Sequence, residues 1–337
     1  GGLARELLAA RRAAGTVPAG TVPAGTVPVS TVPVGSVPVS SVPEPAAGHG
    51  RRDDYGIDVM RREIATIPEV IAGHLADPAG HVQDLAGWLA GRGIEHLYLT
   101  GCGDSAFAGL AAALAFRRHS RLRVHPVHAL ELARYQIRYL PPASAVLAVS
   151  YGGSVGRTIE AARQAAEFGH PVIALTGHAG GPLAAAADRV LPIDVPTLGF
   201  SPGTSTYIGM LCTLIELALR TAPADAPGTA AEAIRRACAQ LPGQAAKTLD
   251  WCDGPAAETA ARISSGRFVT FLGAGPNEAT ARFGAAKLFE GAQQIAVATN
   301  TEEWPTRSTS SPGPATRSWS SRRPAPARTG HGRSCPS

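Results

Sequence analysis

Only two of the 337 residues are lysine, Lys247 and Lys287, against twenty-nine arginines. Aromatic residues make up 5% of the chain, and the five cysteines, at 102, 212, 238, 252 and 335, form no C-x-x-C pair. That spacing excludes a zinc knuckle and a dense disulfide framework, so a reducing, cytoplasmic compartment is expected. No apolar run reaches the eighteen or so residues of a membrane span; the nearest, 208–219, is interrupted by Glu216. No apolar core follows Arg11 and Arg12, so neither a secretion signal nor a membrane partner is expected.

Charge is also unevenly spread. The net charge of +5 hides a 305–337 stretch with six arginines and no acid, while the rest of the chain holds 25 basic and 26 acidic residues. The high pI is a property of that stretch. Without a basic stripe on a folded, aromatic-bearing surface, and with no helix-turn-helix pattern, a nucleic-acid partner is not expected. The stretch also lacks Val, Ile, Leu, Met and Phe; it cannot build a core and is expected to be a disordered Arg/Ser/Pro tail. A reading-frame change in a GC-rich gene would write such a tail, and a natural basic extension is the alternative. At the other end, residues 1–54 are of low complexity. Proline recurs every fifth residue at 18, 23, 28, 33, 38 and 43, which forbids helix and breaks a sheet ladder. An extended spacer behind a short helix at 3–14 is expected.

Between these ends the pattern is α/β. Apolar runs near 96–100, 122–127, 145–150, 171–176 and 189–193 alternate with Ala-rich segments. They predict a parallel sheet in a three-layer αβα sandwich, with a first domain over 55–225 and a partial second one over 226–304. Two of the strands end in Gly/Ser loops, Gly101-Cys102-Gly103-Asp104-Ser105 and Ser150-Tyr151-Gly152-Gly153-Ser154, each opening a helix. Free amides and the helix dipole make such starts attractive to an anion, so a phosphate cradle is predicted. Two other readings stand beside it. Gly101, Gly103 and Ala106 fit a dinucleotide fingerprint, but the strand at 122–127 lacks the acid that holds a ribose, and the first carboxylate is Glu131. A nicotinamide cofactor is therefore not expected. Ordinary tight turns are the other reading.

The loop pair resembles the sugar isomerase (SIS) family, a flavodoxin-like fold, whose loops read Gly-Cys-Gly-Thr-Ser and Ser-x-Ser-Gly-x-Thr. The resemblance makes Ser105 and Ser150 sugar-phosphate contacts. Gly152 and Val155 stand where the family has a second serine and a threonine. Ser154, Thr158 or the amides of Gly152 and Gly153 are the candidate replacements, with Gly103 and Tyr151 in the same loops. The segment Ser201-Pro202-Gly203-Thr204-Ser205-Thr206 matches one that the family brings near the sugar, which adds Thr204 and Ser205. Glu131 and Arg134-Tyr135 resemble a wall segment of the family, one residue out of register.

A second block, from Arg267 to Trp304, repeats the pattern of strand, Gly loop, helix and strand. It resembles the second SIS module in the isomerase half of glucosamine-6-phosphate synthase. Lys287 and Glu290 fall at the family's Lys-x-x-Glu spacing, and Glu303 lies thirteen residues beyond Glu290. At i,i+3, Lys287 and Glu290 share a helix face; a surface ion pair is the alternative. The resemblance implies Glu290 as a base moving a proton between C1 and C2, with Lys287 steadying enediolate charge. Thr306 stands where the synthase has its ring-opening His. The expectation is a phosphosugar-binding homodimer of isomerase or deaminase descent with impaired turnover, or a binding-only relative. No cofactor is implied. His125 and His128 have no evident third ligand, so no metal is expected.

Overall fold

A computed structural model describes residues 56–223, 228–264, 268–304 and 318–320. The expected helix at 3–14, the pentad spacer and nearly all of the tail lie outside the described residues.

Three helices come first: α1 (Ile57–Ala65), α2 (Ile67–Ala76) and α3 (His81–Gly91). The Asp77 carboxylate accepts the Val82 and Gln83 amides at 3.2 and 3.1 Å, tethering the first turn of α3. An alternating unit follows: β1 (His96–Gly101), α4 (Asp104–His119), β2 (Arg123–His128), β3 (Ser144–Val149), α5 (Gly156–Glu167), β4 (Val172–Thr176), β5 (Arg189–Pro192) and α6 (Ser205–Arg220). Each strand lies within two residues of its expected place.

All four pairings in this sheet are parallel, in the order β2-β1-β3-β4-β5. Every residue of β3 and β4 is buried, which is why residues 145–149 and 172–175 read as apolar runs. Side chains alternate between two cores. Leu97, Leu99, Leu147, Val149, Ile173 and Leu175 pack with α3, α4 and α6. Tyr98, Val146, Ala148, Val172 and Ala174 face α5 and the turns between β2 and β3. Those turns include a π-helix at Leu132–Gln136.

The strand order reverses between β1 and β3, so the loops after these two strands border the crevice where such sheets hold ligands. The loops touch. A Cβ on Gly101 would lie 2.8 Å from the Val149 carbonyl oxygen and from Ser105 Cβ; only glycine lets the β1 loop pass.

The 36-residue α7 (Gly228–Ile263), which contains Pro242 and Pro255, leads into a second, parallel sheet. Its elements are β6 (Val269–Gly273), α8 (Pro276–Ala292), β7 (Ala296–Asn300) and β8 (Ser318–Ser320), in the order β7-β6-β8. The sequence predicts two strands here; the third comes from within the tail, where three residues pair with β6. Helix α8 packs against α4, and the rings of Tyr207 and Phe283 stack at 4.0 Å.

Candidate functional site

The first loop ends at Gly103, whose φ of +54° turns the chain into α4. Ser105 is buried in the first turn, and its hydroxyl donates to Met210 Sδ at 3.4 Å. The second loop is tighter than the sequence implies. Gly153 adopts φ +63° and its amide donates to the Ser150 carbonyl at 3.1 Å, so this amide closes the turn instead of facing an anion. Tyr151 is turned inward: its hydroxyl donates to the Val195 carbonyl at 2.9 Å, and burial pushes its pKa up. Thr158 is also buried, with its hydroxyl 3.8 Å from Cys102 Sγ. These two residues shape the cradle from behind. Ser150 is buried at the loop's start, while Gly152 and Ser154 lie on its exposed side.

A third loop completes the edge. Residues 200–204 cross the start of α4, and a Cβ on Gly203 would sit 3.3 Å from Asp104 Oδ2. Thr204 and Ser205, both buried at the start of α6, carry hydroxyls with no hydrogen-bond partner among the described residues. An orphaned buried hydroxyl costs about 1–3 kcal/mol, and the N-terminus of a 16-residue helix is where an oxyanion would relieve it.

Lys287 reaches this edge from α8. Its ammonium donates to Asp104 Oδ2 at 2.7 Å and to Glu290 Oε2 at 2.6 Å, and lies 5.2 Å from the Phe283 ring centroid. The Lys287 side chain is 9% exposed, Asp104 20% and Glu290 44%. Burial raises the Asp104 pKa, and the bond and charge of Lys287 offset only part of that rise. Together with Phe200–Gly203 and Gln293, these three groups line a cleft of about 600 Å³. Lys287 and Glu290, paired by the sequence pattern, thus share one cleft. Glu303 is exposed beyond β7 and is not among the cleft's lining residues.

Asp104 is the residue that sequence reasoning missed. It sat in plain view as the fourth residue of the first loop, but its partner is 183 positions away, and no local pattern pairs them. Arg134 forms an ion pair with Glu160 instead of lining the cleft. His125 bonds to His96, and among the described residues no cluster of three metal-ligating side chains occurs.

The family model for the SIS domain matches residues 92–214, the segment holding all three loops. Residues 92–214 are a SIS domain. A glutamine–fructose-6-phosphate aminotransferase (isomerizing) of Halobacterium salinarum is 29% identical over 214 residues, 61% of this chain and 35% of that relative. The chain thus spans about a third of the length of the curated relatives it matches. Among solved structures, the C-terminal domain of glucosamine-fructose-6-phosphate aminotransferase from Francisella tularensis superposes with a TM-score of 0.64 at 17% identity, covering 77% of this chain and 74% of that one. Glucosamine-6-phosphate deaminase from Thermotoga maritima gives 0.62 at 18%, covering 78% and 76%. At these identities the two superpositions speak for the SIS fold alone.

Proposed function

We propose that this SIS protein binds a phosphorylated hexose or hexosamine at the carboxyl edge of its first sheet, within the lineage of sugar-phosphate isomerases and deaminases. The observation that carries this reading is the pair of orphaned hydroxyls on Thr204 and Ser205, beside a cleft that holds both a lysine and a carboxylate. A phosphate is a strong acceptor for such donors, and Ser105 and Ser150 stand on the neighbouring loops. The second sheet, in this reading, is part of a second SIS module, and the protein acts as a homodimer in the cytoplasm.

Glu290 is the group suited to carry a proton between C1 and C2 of a bound sugar, since it is half-exposed to the cleft. Lys287 is the cation beside it that would meet the developing oxyanion. A general base of this kind contributes about 10²–10⁴ in rate. A second reading, binding without turnover, is favoured by Thr306 at the position of the family's acid/base histidine and by Glu303 lying off the cleft. Interconversion of fructose 6-phosphate and glucose 6-phosphate, assayed with Glu290→Gln as control, separates the two. Slow or absent turnover, with any residue of it lost in Glu290→Gln, is expected. Turnover near an ordinary enzyme rate of about 10 per second, or activity that survives Glu290→Gln, contradicts the roles assigned here.

A further inference from the structure

We propose that Asp104 is a positioning residue: it fixes the Lys287 ammonium over the cleft, so that a ligand oxygen meets a cation already in place. The inference rests on the phosphosugar reading of the same site. Two observations support it. A carboxylate beside an expected phosphate is unfavourable unless something neutralises it, and Lys287 does so at 2.7 Å. The geometry is also built around the pair. Asp104 sits in the first turn of α4, where the helix dipole favours an anion. The 200–204 loop passes over it at a glycine, and its Oδ1 is buried with no hydrogen-bond partner among the described residues.

A free lysine side chain samples many rotamers and must be ordered when it engages a ligand. Here Asp104, Glu290 and the Phe283 ring hold it from three sides. Two of the three ammonium protons are used among the described residues, which leaves one for a ligand oxygen. Glu290 alone, at i,i+3 on the same helix, would tie Lys287 to its own surface. Asp104, from the first SIS segment, draws it across.

The scarcity of lysine makes this testable. With Lys247 and Lys287 the only lysines, selective ¹⁵N-lysine labelling reports on two ammonium groups, and Lys247 is exposed. In the whole chain at neutral pH, the buried and doubly bonded Lys287 ammonium is expected to give an Nζ signal. Asp104→Asn should abolish or shift it, and Asp104→Glu should restore it at least in part. Titrated with fructose 6-phosphate and glucosamine 6-phosphate, Asp104→Asn should bind about tenfold more weakly, the loss expected when a charge-assisted contact is removed. In a Lys287→Met background the same substitution should have no further effect. Equal weakening in both backgrounds, or an unchanged Nζ signal in Asp104→Asn, overturns the proposal. If the wild-type chain binds neither sugar phosphate, the phosphosugar reading falls, and the Nζ signal alone decides whether Asp104 holds Lys287. Asp104→Ser serves if Asp104→Asn fails to fold.

Discussion

His125 shows how one residue ties the sheet edge to pH. Arg123 lies 3.4 Å from His96 Nε2, and His96 Nδ1 lies 3.0 Å from His125 Nε2. Since arginine can only donate, His96 Nε2 accepts, its Nδ1 carries the proton, and His125 Nε2 is the acceptor of a neutral ring. Burial, then repulsion from His96 when that ring too takes up a proton and from Arg117, lower the His125 pKa below its ordinary value of 6.5. The unfolded chain therefore takes up this proton more readily. The contribution to stability is complete above about pH 6.5 and is lost as pH falls through the lower folded value. The melting temperature is expected to drop between pH 7 and pH 5 by less in His125→Gln, whose amide oxygen keeps the acceptor, than in the wild type. Equal drops would show that this histidine is not responsible.

At the scale of elements, the parallel strands were legible because burial on both faces favours apolar residues, as in residues 145–149 and 172–175. The Gly/Ser loops were legible because their backbone turns demand small residues. Side-chain direction was not. Tyr151 and Thr158 read as ligand contacts, yet one hydroxyl serves the Val195 carbonyl and the other faces Cys102, since a loop pattern fixes the turn and not the rotamers. Asp104 went unread because its partner lies on a distant helix. The long α7 defied local rules, for Pro242 and Pro255 each remove an amide and crowd the preceding turn. Tertiary packing, including that of α2 against α7, outweighs propensity there. Pro255 is exposed, so Pro255→Ala should raise the stability of α7 by up to about 3 kcal/mol. A higher melting temperature by circular dichroism is the expected result, and a lower one would mean that the proline fits its helix better than alanine does.

At the scale of the molecule, a complete SIS sheet stands beside a smaller one of three parallel strands. Several large apolar side chains of the second part are exposed, among them Phe289, Ile295 and Val297. The proposed homodimer would cover surface of this kind. Light scattering across a range of concentrations should report twice the mass of the chain, and a monomer at every concentration would remove the dimer from the account.

The central claim is that the carboxyl edge of the first sheet receives a phosphosugar, and calorimetric titration tests it most directly. Fructose 6-phosphate and glucosamine 6-phosphate, run against inorganic phosphate as competitor, should give saturable binding. Ser205→Ala and Ser105→Ala should each weaken that binding by about ten- to a hundredfold, the worth of one hydrogen bond to a charged group. Absence of binding by either sugar phosphate, or binding indifferent to both substitutions, would contradict the claim.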